Sequence, residues 1–195
     1  MRNPRVFLLV SVLLVSGCGI FETRTPEAPQ QGRSDFQPPT SPDIVVQNIE
    51  NAIADRDVNN YMACLSDTIY GGKAFTFVPS ANAVRQYASI FQNWDKNSEQ
   101  SYFNNLISQS STTSSAALLV SSEELVAQGT DTYIYSANYT LIWPNKVSGN
   151  PQQVQGNLQF SLGVDRNQNW AIYRWVDSGV GDSLTWSDLK ARFSQ

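Results

Sequence analysis

The chain predicts an α+β domain in which helices come first and an antiparallel sheet follows. From Asp43 to about Ile107, apolar residues recur at helical spacing, broken by one short strand-like run. From about Ser115 the period falls to two, the alternation of strands that bury one face.

Ser41-Pro42-Asp43 reads as a helix start, with a capping hydroxyl, a proline in the first turn and an acid near the positive helix end. Val45, Ile49, Ala52 and Ile53 then share a face. Asp57 is placed to cap a second, short helix whose apolar side is Val58, Tyr61, Met62 and Leu65. Gly71-Gly72 marks a turn, and Phe75 to Val78 is a short strand stopped by Pro79. Ser80 is the cap of a further helix, expected to carry Val84, Tyr87, Phe91 and Trp94 inward. Asp95 restarts it, with Tyr102, Phe103, Leu106 and Ile107 as its buried side.

In the second half, Thr132 to Trp143 puts Tyr133, Tyr135, Ala137, Tyr139, Leu141 and Trp143 on one face. Turn residues from Asn145 to Pro151 precede a strand with Leu158, Phe160, Leu162 and Val164 alternating. Asp165 to Asn169 is a hairpin loop into a last strand, Trp170 to Asp177. Thr185 to Phe193 reads as a short closing helix with Trp186, Leu189 and Phe193 inward.

The start of the chain has a different character. Arg2 and Arg5 precede an apolar run from Val6 to Val15, interrupted only by Ser11. That run is far short of the roughly twenty residues a membrane-spanning helix needs. A charged start, a short apolar core and small residues before a cleavage point make a secretory signal. Leu14-Val15-Ser16-Gly17-Cys18 resembles the lipobox of bacterial lipoproteins. The resemblance implies cleavage between Gly17 and Cys18, with Cys18 lipidated and holding the chain to the cell envelope. Two acyl chains on one cysteine meet the requirement for stable anchoring, which a single chain does not. Gly19 after the cysteine, rather than Asp, points to the outer membrane facing the periplasm if the host has two membranes.

Residues 18–42 are expected to be the lipidated cysteine and a disordered linker. Pro26, Pro29, Pro38, Pro39 and Pro42 are spread among Gln, Ser and Thr, with little to bury. Some twenty such residues at ~3.1 Å each reach on the order of 60 Å. Residues 43–195 are then one domain, long enough for a real core.

Removal of the signal takes Arg2 and Arg5, so 11 basic residues face 17 acidic ones and the formal charge is −6. An acidic balance without a Lys/Arg run argues against nucleic acid as a partner. With Cys18 taken by lipid, Cys64 has no intrachain partner, and its apolar surroundings mark it as a buried structural thiol. The sequence contains no histidine, which removes Ser-His-Asp and Cys-His catalysis and most zinc sites. No glycine-rich phosphate loop or calcium-loop spacing occurs, and no cofactor or metal is expected.

The element order resembles the nuclear transport factor two-like superfamily. It rests on an early helix pair ending near Leu65-Ser66-Asp67, the Phe75-Thr76-Phe77-Val78 strand, a further helix and long final strands. The closing strand Trp170-Ala171-Ile172-Tyr173-Arg174-Trp175-Val176-Asp177 is similar to that of the group. The resemblance implies N-terminal helices packed on a curved antiparallel sheet in a cone. It also implies a homodimer through the sheet face, marked by an exposed apolar surface. Superfamily members range from isomerases, dehydratases and hydrolases to domains without activity, so fold does not select function.

Possible pocket residues are Tyr61, Asp67, Tyr70, Tyr139 and Arg174, a carboxylate and tyrosine set of the kind steroid-isomerase-like members use. Arg174 lies inside the cone if Trp170, Ile172 and Val176 face inward, and outside if Tyr173, Trp175 and Asp177 do. The tyrosines at 133, 135 and 139 are either pocket lining or ordinary sheet packing. Two functions follow. One is a non-catalytic envelope lipoprotein that binds a small ligand or a protein partner. The other is a periplasmic enzyme with Asp and Tyr in the cone, which an interior filled by Phe, Trp and Leu would rule against.

Overall fold

A computed structural model describes residues 35–111 and 113–194, and the signal segment, Cys18 and the linker through Ser34 lie outside the described residues. Helix α1 is Pro42–Asp55 and α2 is Val58–Ala63. Asp57 caps α2 by accepting from the Asn60 N–H (3.0 Å), while Ser41 makes no side-chain cap and leaves the start of α1 to Pro42 and Asp43.

Strand β1 is Thr76–Val78, α3 is Ala81–Tyr87 and α4 is Lys96–Ser108. The helix expected to run from Ser80 to Trp94 therefore stops at Tyr87, and Val84 is exposed. Phe91 and Trp94 reach the core from the turn that follows, drawn against the ring of Phe77 at 6.0 and 5.9 Å. Ring packing outweighs helical periodicity here. Asp95 caps α4 as expected, accepting from the Ser98 N–H (2.8 Å).

The sheet comprises β2 (Ala117–Ala127), β3 (Thr132–Ile142), β4 (Gln153–Val164) and β5 (Trp170–Ser178), with β1 at its edge. The order is β1-β5-β4-β3-β2. β2 to β5 form an antiparallel meander, but β1 lies parallel to β5, pairing Phe77 with Trp175. The sheet is thus mixed rather than purely antiparallel.

Neither single register of β5 is correct. Ser161 pairs with Arg174 and Leu162 with Ile172, so Tyr173 is an extra residue. This bulge shifts the alternation by one, and Ile172, Trp175 and Asp177 all point inward while Arg174 is exposed.

Residues 35–41, read as the end of the linker, are held against the domain. The Gln37 N–H donates to Asn48 Oδ1 (2.9 Å), Asn48 Nδ2 donates to Gln37 O (2.7 Å), and the Trp170 N–H donates to Pro39 O (2.7 Å). Asn48 itself is buried.

Helix α5, Trp186–Arg192, does not cap the surface. It lies in the interior between the helices and the inner sheet face, and every residue from Trp186 to Ala191 is buried. Trp186 meets Trp175 edge-on at 4.5 Å and Tyr139 at 5.5 Å. Its burial with Leu189 and Phe193 contributes about 1.5–3 kcal/mol per side chain. The outer sheet face has a polar centre of Ser136, Asn138, Asn157 and Gln159, with Leu119 and Val126 exposed along β2. Among the described residues no helix is long and apolar enough to cross a membrane.

Candidate functional site

The five candidate residues fall in different places. Arg174 stands on the outer face of β5. Asp67 and Tyr70 lie at the surface after α2, beside a groove of about 340 Å³ that Phe36, Lys96 and Trp170 also line. Tyr61 and Tyr139 are buried and belong to two separate hydrogen-bonded centres. The tyrosine stripe of β3 serves packing: Tyr135 stacks on Phe160 at 5.9 Å, and Tyr133 meets Trp170 edge-on at 5.4 Å.

The first centre is built on Glu99, which is fully buried on α4. Its Oε1 accepts from the Tyr61 hydroxyl (2.7 Å) and from Lys190 Nζ, and its Oε2 accepts from Trp94 Nε1 (2.6 Å). Lys190, on α5, is also fully buried. Its ammonium sits 4.1 Å from the ring centre of Trp175, 4.2 Å from Phe77 and 5.1 Å from Tyr102. Burial pulls the Lys190 pKa down, against the opposing pull of Glu99. Burial, then the Glu99 charge, pushes the Tyr61 hydroxyl well above its usual range.

The second centre is Asp177 on β5. Its Oδ1 accepts from the Tyr139 hydroxyl (2.7 Å). Its Oδ2 accepts from the Ser187 N–H (2.7 Å) and from the Ser187 hydroxyl. The Tyr139 hydroxyl in turn accepts from the Trp186 N–H (2.6 Å), so one phenol ties β5 to the first turn of α5. Thr185 completes that turn, with its N–H donating to Asp188 Oδ2 at 2.8 Å. Burial raises the Asp177 pKa, with the Ser187 and Tyr139 hydrogen bonds opposing.

Sequence reasoning missed Glu99, Lys190 and Asp188. A signal existed for the first two. Glu99 falls on the stripe of Tyr102, Phe103 and Leu106, and Lys190 on that of Trp186, Leu189 and Phe193. A charge on an apolar helix stripe needs a buried partner, and each of these meets that need in the other.

No family model matches the sequence, and no curated protein matches it. Solved structures do. A proposed aromatic ring hydroxylase from Novosphingobium aromaticivorans superposes over 75% of this chain and 91% of its own, with 12% identity and a TM-score of 0.55. An NTF2-like protein from Cytophaga hutchinsonii covers 70% and 93%, with 12% identity and a TM-score of 0.51. A ketosteroid isomerase-like protein from Erwinia carotovora atroseptica covers 71% and 93%, with 12% identity and a TM-score of 0.50. The fold is a nuclear transport factor two-like cone. At this identity the likeness carries the fold and none of the chemistry.

In this cone the two interior carboxylates are closed off. All four of their oxygens accept hydrogen bonds from the protein, and helix α5 covers them. A general base needs a substrate proton within hydrogen-bond reach, which neither group offers in this packing. The cone's surface groove is chemically milder. Lys96 Nζ donates to Asp67 Oδ2 (3.3 Å) and to Leu65 O (2.8 Å). The Ile69 N–H, and then Lys96, hold the Asp67 carboxyl below its usual range, so it stays an anion near neutrality. Among the described residues no three of Cys, Asp or Glu group closely enough to hold a metal ion.

Proposed function

We propose that the protein is a lipid-anchored envelope lipoprotein whose cone domain is non-catalytic and binds a small ligand or protein partner at its surface. The observation that carries the non-catalytic part of this reading is the filled interior, and the anchor rests on the resemblance of Leu14-Val15-Ser16-Gly17-Cys18 to a lipobox. α5 places Trp186, Leu189, Lys190 and Phe193 where an Asp/Tyr enzyme needs a substrate pocket. The enzymatic reading required that pocket, and Tyr61, Asp67, Tyr70 and Tyr139 do not converge on one. The groove beside Asp67, Tyr70, Lys96 and Trp170 supplies a recognition surface, lined by the Asp67–Lys96 ion pair and by aromatic rings. Phe36, from the segment 35–41, also lines this groove.

Cys18→Ser tests the anchor. Metabolic labelling with a fatty acid should disappear in the variant, and the unprocessed precursor should accumulate. Unchanged membrane attachment and processing would overturn the lipoprotein assignment. Photo-crosslinking from position 70 in intact cells tests the surface: a discrete adduct supports it. An adduct pattern identical to that from position 174, on the outer sheet face, counts against the groove.

A further inference from the structure

The Lys190 ammonium is surrounded in a way that ion pairing alone does not require. Five aromatic rings lie within 6.0 Å of Nζ: Phe77, Trp94, Tyr102, Trp175 and Trp186. They come from β1, the turn before α4, α4, β5 and α5, so four separate stretches of chain converge on one cation. Glu99 supplies the counter-charge, held in place by Tyr61 and Trp94. Ring faces attract a cation through their quadrupole, and a ring-walled box with an acid at its base is the arrangement that recognises organic ammonium groups.

A second observation concerns Trp175. It is fully buried, yet its indole N–H has no hydrogen-bond partner among the described residues. An orphaned buried donor is a cost that native structures bear for a reason. Here the ring stands nearest the ammonium of all five, at 4.1 Å.

The occupant arrives on a short helix. The segment from Gly179 to Leu184 joins β5 to α5 and is exposed apart from a half-buried Ser183, and Gly181 sits at φ +60, a conformation that suits glycine. We propose that Glu99 and the Phe77, Trp94, Tyr102 and Trp175 rings form a binding site for a primary ammonium group. Lys190 is its built-in ligand, and α5 is the tethered plug of a pocket for small primary amines. The surface groove beside Asp67 and Tyr70 takes no part in this site.

Lys190→Ala in the otherwise unchanged chain removes the occupant and leaves the cage. The vacated length, three methylenes and a nitrogen, matches n-propylammonium. Thermal melting is followed with n-propylammonium chloride, n-propanol or sodium chloride. At ten times its Kd the amine should raise the K190A midpoint by about 4 °C. Propanol, equal in size but neutral, and sodium chloride should not. The double variant Glu99→Gln/Lys190→Ala should lose the response, because the counter-charge is gone. Equal shifts from propanol and the amine, no shift with either, or an undiminished shift in the double variant would overturn the proposal. If K190A does not fold unaided, the readout becomes recovery of folded protein on dilution from urea. Recovery with propylammonium alone supports the site, and failure with both additives, or recovery with both, counts against it.

Discussion

Lys190 and Glu99 stand 91 positions apart in sequence and form an ion pair in which both side chains are fully buried. Their pairing joins α5 to α4 through the middle of the cone. Desolvation of two charges offsets most of their attraction, so such a pair specifies where α5 sits more than it adds net stability.

Glu99→Ala leaves Lys190 uncompensated and should cost about 3–5 kcal/mol, measured as a shift in urea midpoint. The double replacement Glu99→Leu/Lys190→Met swaps the pair for apolar groups and should recover most or all of that loss. A double variant as unstable as the single one would mean that the ion pair adds net stability that apolar packing does not replace.

Tyr139→Phe removes one oxygen that serves two partners. Asp177 Oδ1 loses a donor and the Trp186 N–H loses its acceptor, both in the interior. The expected loss is about 1–3 kcal/mol. Arg174→Gln, on the outer face of the same sheet, should change stability by less than about 0.5 kcal/mol. Equilibrium unfolding of both variants side by side checks the contrast.

Cys64 makes the alkaline limb of stability testable. Its thiol ionises near 9.0 when unperturbed, and burial pushes it up to about 12. Above pH 9.0 the unfolded chain releases this proton while the folded chain keeps it. The stability Cys64 contributes is therefore complete below 9.0 and is lost as pH rises toward about 12. The buried hydroxyls of Tyr61, Tyr102 and Tyr139 act in the same direction above their ordinary range, and Lys190 acts in the opposite one below 10.5. Urea unfolding at pH 8, 9 and 10 should show a shallower decline in Cys64→Ala than in the parent. Identical slopes would place Cys64 nearer solvent than its burial indicates.

Asn48→Ala should release residues 35–41. The side chain makes two hydrogen bonds to the Gln37 backbone, and nothing apolar replaces them. Amide exchange at Gln37 and proteolytic cleavage within 35–41 should speed up while the core melts nearly as before. Unaltered exchange at Gln37 would show that packing, not this pair of bonds, seats the segment.

By itself the sequence determined the class of the domain and most of its element ends. Helical spacing in Val45, Ile49, Ala52 and Ile53 and alternation from Tyr133 to Trp143 are local properties, written wherever one face must be buried. The caps at Asp57, Ser80 and Asp95 are local as well, because each side chain bonds a backbone N–H three residues on. Tertiary structure alone decided the interior. The side of the sheet that Arg174 occupies turned on a bulge at Tyr173, an insertion visible only against β4. The early end of α3 depended on rings that meet only when β1 and the turn before α4 are brought together. Whether the cone is a pocket or a packed core depended on where a short C-terminal helix lies. Its amphipathic pattern shows which face is apolar but not that the other faces are buried too. Glu99 and Lys190 could be seen singly as charges on apolar stripes, yet their pairing is a long-range contact, and long-range contacts are what sequence spacing does not encode.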